Sequence, residues 1–241
     1  MRKQLIEDLV HEKDRLLGHV WAYAQLGMRK EAIIDCQKLI MLDENDPQSY
    51  MEAGLAYEEN GEIEKAVKYY KRAIKRFPEY SRAYVNLGYI FEKHKKCDDM
   101  AIVCYEKALE LEPDNEWALN NIGAILTKEG KWKEGLFYYE KAYESCRHKY
   151  GFVCGHIVHN LAWAFYRCKK YIKAWLIYSY LADECPHNSD ILSDFGLVNY
   201  KIGKYDKAMD FFAKALSIEP GSRHYQRLYR AVKRSICTIR V

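Results

Sequence analysis

The sequence contains little of what builds loops, disulfide frameworks or membrane spans. Its 241 residues include only five prolines and thirteen glycines, too few for a loop-rich or disordered chain. The eight cysteines stand singly without a CxxC pair, which favours reduced thiols over a secreted disulfide framework. No signal-peptide core opens the chain, and no apolar run reaches the roughly 20 residues of a membrane span. We therefore expect a soluble, cytoplasmic protein without a membrane span, unless the sequence is part of a longer chain.

Motifs of catalysis are also missing. There is no nucleophile elbow, phosphate loop, HExxH or paired-carboxylate motif, and the segment 151–155 is too short to cradle a phosphate. Cysteine and histidine cluster at short spacing without a zinc-finger pattern, at Cys146, His148, Cys154, His156 and His159. We expect no enzyme, no metal site and no cofactor.

What the chain does contain is a repeated unit of two helices. Its clearest copy is residues 81–115, SRAYVNLGYIFEKHKKCDDMAIVCYEKALELEPDN. Apolar and small residues recur there at helical spacing in two rows, first Tyr84, Leu87, Gly88 and Phe91, then Ala101, Tyr105 and Ala108. Pro113 marks where the second helix must stop. The unit is thus predicted to be a helix–turn–helix.

The same unit recurs along most of the chain. Six copies are predicted at 13–46, 47–80, 81–115, 116–149, 155–188 and 189–222, with an insertion at 150–154. Residues 1–12, with Leu5 and Leu9, are predicted to form a helix leading into the array. Residues 223–241, with Leu228, Val232 and Ile236, are predicted to form a basic capping helix. At the fourth junction Arg147 replaces the expected proline, so that second helix is predicted to run on.

This spacing resembles the tetratricopeptide repeat (TPR) family, whose unit is about 34 residues. The resemblance covers residues 13–222 and implies an all-α, right-handed superhelical α-solenoid. Small residues would let the two helices of each unit approach closely, at Gly54, Gly88, Gly123, Ala162 and Gly196. Large aromatic residues would fill the space that remains, which explains many of the 21 tyrosines.

The resemblance also implies that the first helix of each unit lines a concave face. At its sixth place, repeats three to five present Asn86, Asn121 and Asn160. A carboxamide offers one acceptor and two donors, which match a peptide group. The arrangement resembles the asparagine ladders of the O-linked N-acetylglucosamine transferase superhelix and of kinesin light chains, which hold extended peptides by their backbone. The alternative is that each asparagine bonds only to nearby backbone.

Neighbouring places on the concave face add aromatic and basic side chains. The complete predicted peptide-binding set is Arg82, Asn86, Tyr89, Asn120, Asn121, Lys128, His159, Asn160, Trp163, Tyr166, Arg167, Tyr200 and Lys201. Glu52, Glu58 and Glu59 would make the near end acidic, whereas Lys93 and the later cations would make the far end basic. The predicted function is that of a scaffold or adaptor holding a protein or peptide segment, an acidic segment being one candidate.

Three alternatives for the partner are weighed against this one. The clamp that resembles chaperone-binding TPR proteins is incomplete, since Arg82 and Asn86 are isolated pieces of it. The tail carries six basic residues and no acidic one, Arg223, Arg227, Arg230, Lys233, Arg234 and Arg240, in a chain of net charge +4. Such a helix could touch nucleic acid, although a solvated outer face is the commoner explanation. A self-assembling module or secretion-type chaperone stays open, and the oligomeric state is not predicted.

Overall fold

The computed structural model describes residues 2–152 and 154–239, and across these ranges the chain forms thirteen α-helices and no strand. The expected all-α class is confirmed. The helices are α1 (Arg2–Gln25), α2 (Arg29–Leu42), α3 (Pro47–Glu59), α4 (Ile63–Arg76), α5 (Ser81–Lys93), α6 (Asp98–Leu111), α7 (Glu116–Lys128), α8 (Trp132–Tyr150), α9 (Gly155–Arg167), α10 (Tyr171–Glu184), α11 (Ser189–Lys201), α12 (Tyr205–Ile218) and α13 (Arg223–Ile239).

These helices form two compact units, Met1–Ala118 and Leu119–Val241. In the first unit α1 packs on α2, α3 on α4 and α5 on α6, and the contacts of α2 with α3 and of α4 with α5 join the pairs. In the second unit each helix from α8 to α13 packs on the next. Each unit buries its own core of aliphatic, alanine and tyrosine side chains.

Close packing within a pair depends on a small residue that faces a ring. A Cβ atom added to Gly54 would lie 2.3 Å from Cε1 of Tyr70, and one added to Gly88 would lie 2.6 Å from Cε1 of Tyr105. In the second unit Gly123 and Gly196 face Tyr139 and Phe212 in the same way. At these four glycines the predicted role of the small residues is confirmed, and so is the use of large aromatics to fill the space beside them.

Local signals set where the helices begin and end. The carboxylate of Asp46 accepts from the backbone N–H groups of Gln48 and Ser49, which caps α3. The second helices α4, α6, α10 and α12 each end two residues before a proline, namely Pro78, Pro113, Pro186 and Pro220. At the fourth junction, where Arg147 stands in place of proline, α8 runs on for 19 residues to Tyr150, as expected. Gly151, with φ of 74°, ends it in the left-handed conformation.

Both ends of the chain are helical where the structure describes them. Leu16 of α1 is buried in the first core, and Val232 of α13 packs with Phe212 of α12 in the second unit. The division into six repeats with a helix at either end stays a prediction. Leu5, Val153 and Arg240 lie outside the residues whose side chains are described. None of the described helices is long and apolar enough to cross a membrane.

Candidate functional site

The predicted site residues fall in both units, and those of the first unit lie on α5. Asn86 is half-buried, and its Nδ2 group donates to the sulfur of Met51 on α3 at 3.5 Å. Arg82 and Tyr89 are exposed. The ammonium nitrogen of Lys93 lies 5.9 Å from the centre of the Tyr89 ring. The α5 face therefore offers solvent a cation and an aromatic ring beside a carboxamide that is held by α3.

The acidic residues of the first unit have different surroundings. Glu58 accepts a hydrogen bond of 3.0 Å from the Tyr70 hydroxyl and lies 3.5 Å from Nε2 of His94, so it helps to hold the helix pair. Glu52 is half-buried, and this burial raises the pKa of its carboxyl, although the charge of Arg82 acts in the opposite direction. Only Glu59 is an ordinary exposed carboxylate among these three.

In the second unit three asparagines form a hydrogen-bonded row that we call the carboxamide chain. Nδ2 of Asn160 on α9 donates to Oδ1 of Asn120 on α7 at 3.0 Å. Nδ2 of Asn120 in turn donates to Oδ1 of its neighbour Asn121 at 3.3 Å. Asn120 is buried, whereas Asn121 and Asn160 are half-buried. Within the described residues, the Nδ2 group of Asn121 and the Oδ1 atom of Asn160 have no other partner.

A second polar cluster joins three helices beside the carboxamide chain. Nε2 of His159 on α9 lies 3.0 Å from Oδ2 of Asp194 on α11. The hydroxyl of Tyr178 on α10 donates to the same oxygen at 3.2 Å. Burial raises the pKa of Tyr178, and the Asp194 carboxylate adds to this because it repels a phenolate. The cluster thus fixes the His159 ring at the edge of the row.

Aromatic rings and one guanidinium form what we call the aromatic shelf, which consists of Trp132, Trp163, Tyr166 and Arg167. Trp163 and Tyr166 stack, with ring centres 5.0 Å apart and an angle of 21° between the planes. The guanidinium carbon of Arg167 lies 3.9 Å from the centre of the Trp132 ring and 6.0 Å from that of Trp163. Burial raises the pKa of Tyr166. Three members of the shelf lie in the last turns of α9, and Trp132 begins α8.

The remaining predicted residues of the second unit lie at helix ends. Lys128 and Lys201 are exposed at the ends of α7 and α11. The Tyr200 hydroxyl lies 3.2 Å from the Ser235 hydroxyl on α13, and its ring meets Tyr205 edge-on at 5.4 Å. Tyr200 is therefore engaged in packing α13 and offers less ring to a ligand than the sequence suggested.

The predicted peptide-binding set leaves out two residues that the geometry brings to the site. Asp194 occupies the same sixth helical place as the asparagines, and that place was the signal that could have assigned it. Trp132 begins α8 and lies 35 residues before Arg167, so no helical periodicity connects the two.

The cysteine and histidine residues between Cys146 and His159 differ in their burial and in their partners. Cys146 is fully buried in α8, and His159 pairs with Asp194. Burial lowers the pKa of His156. Across residues 2–152 and 154–239, no group of three or more histidine, cysteine or acidic side chains is placed to hold a metal ion.

Comparison with known families identifies the class of protein that this fold belongs to. Models described as tetratricopeptide repeat or TPR repeat match residues 16–46, 51–99, 98–134 and 190–222, which together are more than half of the chain. The chain belongs to the tetratricopeptide repeat family. TPR proteins generally mediate protein–protein interaction and are typically scaffolds without enzymatic activity.

Part of the chain is similar in sequence to known proteins. Photosystem I assembly protein Ycf3 of Prochlorococcus marinus (strain MIT 9312) is 30% identical over 99 residues, which are 39% of this chain and 57% of that protein. The chain spans less than two thirds of the length of the curated relatives that it matches first.

Two solved structures share the fold. Pseudomonas aeruginosa pilF has a TM-score of 0.78 at 18% identity, over 93% of this chain and 99% of the other. YrrB, described as a TPR protein with an unusual peptide-binding site, has a TM-score of 0.63 at 20% identity, over 83% and 97% of the two chains.

Proposed function

We propose that this protein is a cytoplasmic scaffold that holds an extended segment of a partner protein against the first helices of its second unit. The observation that carries the proposal is the carboxamide chain. It leaves one donor group, at Asn121, and one acceptor atom, at Asn160, fixed at the two ends of a bonded row.

The two ends match the chemistry of a peptide backbone. Every peptide group other than that of proline carries one N–H donor and one C=O acceptor. Asn121 would donate to a carbonyl of the bound segment, and Asn160 would accept from an N–H group. Because Asn120 already holds both side chains, little side-chain entropy is lost when the segment binds. This type of contact reads the backbone and tolerates many side chains.

Side-chain selectivity would come from the aromatic shelf and the nearby cations. Trp163 and Tyr166 present a stacked apolar surface, and Arg167 is exposed although it contacts Trp132. Lys128 and Lys201 add positive charge at the ends of α7 and α11. An acidic segment with apolar side chains fits these features best. Charges at the rim are expected to govern the rate of association more than the affinity.

The likeness to YrrB supports the proposal at the level of the fold, since that protein is described as a TPR protein with an unusual peptide-binding site. Ycf3 is described as an assembly protein, which agrees with a scaffold role. A free segment must be ordered when it binds, so we expect a dissociation constant on the order of micromolar.

The experiment is selection of peptides from a random display library on the complete chain, followed by titration of one selected peptide. Replacing both Asn121 and Asn160 with Ala should weaken binding by about tenfold or more, since two hydrogen bonds are lost. Asn45→Ala, at an exposed turn of the first unit, is the matched control and should bind as wild type does. Equal binding by the double variant and the wild type would refute the role of the carboxamide chain.

Backbone recognition has a test of its own. Methylating the peptide nitrogens one at a time should abolish binding at one position and leave most others unaffected, whereas side-chain recognition would make alanine substitutions the damaging ones. Asn120→Ala should weaken binding of the same peptide although Asn120 does not contact the peptide. The reason is that this variant frees the side chains of Asn121 and Asn160 to rotate. Circular dichroism would show that the variant keeps its helices.

A further inference from the structure

Helix α10 exposes an apolar stripe on its outer face. Ile172, Leu176 and Tyr180 are 66%, 58% and 59% exposed and follow one another at intervals of four residues, so they lie on one side of the helix. Three large apolar residues in a row on solvent-facing helix surface are unusual for a protein that works alone.

The first and third of these positions are charged in the other second helices, and the middle one is apolar in α2, α6 and α8, at Ile34, Val103 and Phe137. The buried alanines Ala66, Ala174 and Ala208 align α4, α10 and α12. Relative to these alanines, the places of Ile172, Leu176 and Tyr180 are occupied by Glu64, Lys68 and Arg72 in α4 and by Asp206, Asp210 and Lys214 in α12. Three apolar residues in succession are therefore a property of α10 and do not follow from the repeat.

The stripe ends in charges of opposite sign. Lys169 lies seven residues before Leu176, in the turn that precedes α10, and Asp183 lies seven residues after it. Both are exposed, and neither forms an ion pair within the part of the chain that the structure describes. The order along the stripe is thus a cation, three apolar residues centred on Leu176, and an anion.

Neither Lys169 nor Asp183 stabilises the fold of a single copy. Lys169 has φ of 60°, a left-handed conformation that disfavours side chains with a Cβ atom. Glycine occupies the corresponding place in four other turns, at Gly27, Gly61, Gly130 and Gly203, with φ of 69–85°, and Lys96, with φ of 54°, occupies it before α6. A cation before the first turn and an anion in the last turn are also the reverse of what the helix dipole favours. An ion pair with another molecule would give each charge a stabilising partner.

We infer that a second copy of this chain docks on the stripe, with the two α10 helices antiparallel about a two-fold axis at Leu176. In that arrangement Ile172 of each copy meets Tyr180 of the other, and Lys169 of each meets Asp183 of the other. A two-fold interface must be self-complementary, and the sequence of charges along α10 has this property. One helix from each copy makes a small interface, so the dissociation constant is expected on the order of ten micromolar.

Sedimentation equilibrium of the complete chain from about 1 to about 200 µM tests the inference. The wild type should pass from monomer to dimer, and Leu176→Glu should stay monomeric or dissociate at least tenfold more readily. The matched control is Val103→Glu, at the same place of α6 and 60% exposed, which should dimerise as the wild type does. A wild type that is monomeric throughout, or a dimer that survives Leu176→Glu, overturns the inference.

Charge reversal then tests the orientation. Lys169→Glu and Asp183→Lys should each weaken the dimer by about three- to tenfold, because each places like charges together at two symmetric positions. The double variant that carries both changes should regain the wild-type constant, since the pairs are restored with their signs exchanged. Additive weakening in the double variant would rule out the antiparallel pairing, whatever the effect of Leu176→Glu.

Discussion

Tyr105 packs directly against the backbone of Gly88, so closely that a methyl group at Gly88 would approach its ring to 2.6 Å. The ring cannot swing away freely, because Tyr105 is fully buried and its hydroxyl donates to the buried carboxylate of Glu92 at 3.1 Å. One contact therefore fixes both the distance between α5 and α6 and the rotation of the ring.

Gly88→Ala should lower the free energy of unfolding by about 1–3 kcal/mol, since the packed pair must separate to admit the methyl group. Gly18→Ala is the matched control, because Gly18 lies in α1 with no atom within 4 Å of an added Cβ. That change should be neutral or stabilising by up to about 1 kcal/mol, as alanine favours helix. Urea denaturation of both variants gives the comparison, and equal effects would contradict the account of the packing.

Glu52→Gln should stabilise the protein at pH 7 and lose this advantage in acid. Burial raises the pKa of Glu52 in the folded state, so ionisation opposes folding at neutral pH. The penalty is complete above the raised pKa and disappears as the pH falls below the unfolded-state value of about 4.3. Urea midpoints measured between pH 4 and pH 7 would show the converging curves. Glu59→Gln, at an exposed site of the same helix, should show no such dependence.

Lys169→Gly should raise the free energy of unfolding by about 1 kcal/mol, because glycine adopts the left-handed conformation without a steric cost. Lys169→Ala removes the same charge but keeps a Cβ atom, so it should give no comparable gain. Thermal unfolding of the two variants at a concentration too low for self-association separates backbone strain from charge.

Thiol labelling should divide the described cysteines by burial. Burial raises the pKa of Cys36 to about 12 and that of Cys104 to about 11, so neither forms much thiolate at pH 8. Cys185 is exposed and should react first with iodoacetamide. Mass spectrometry of the digested protein would assign the labelled sites. Cys36 should react at a comparable rate only in denaturant, and rapid labelling in buffer would contradict its buried placement.

Much of the fold could be predicted from the sequence because its determinants repeat. The small residues of the first helices, the rings that face them and the prolines after the second helices recur at a fixed period, and each acts within one helix pair. The boundary between Ala118 and Leu119 and the strain at Lys169 have no comparable signal in the sequence, since both depend on how the backbone packs.

The site was predictable in outline only. Helical position placed Asn121 and Asn160 on corresponding turns, but it could not show that Asn120 joins them by hydrogen bonds. The contact of Arg167 with Trp132 links side chains that are 35 residues apart in sequence and depends on the way α8 and α9 meet. Hydrogen bonds and ring contacts of this kind are set by tertiary packing, which residue spacing alone does not specify.

The rings that face the small residues also determine what the neighbouring position can do. At Tyr70 and Tyr105 the ring hydroxyl donates to a glutamate four residues beyond the glycine. At the last pair the ring is Phe212, which has no hydroxyl, and the corresponding place holds Tyr200. Tyr200 has no ring hydroxyl to accept from there, and its own hydroxyl lies 3.2 Å from the Ser235 hydroxyl on α13. The missing hydroxyl of Phe212 thus leaves the residue that faces it available to contact the next helix, α13, instead of its own helix pair.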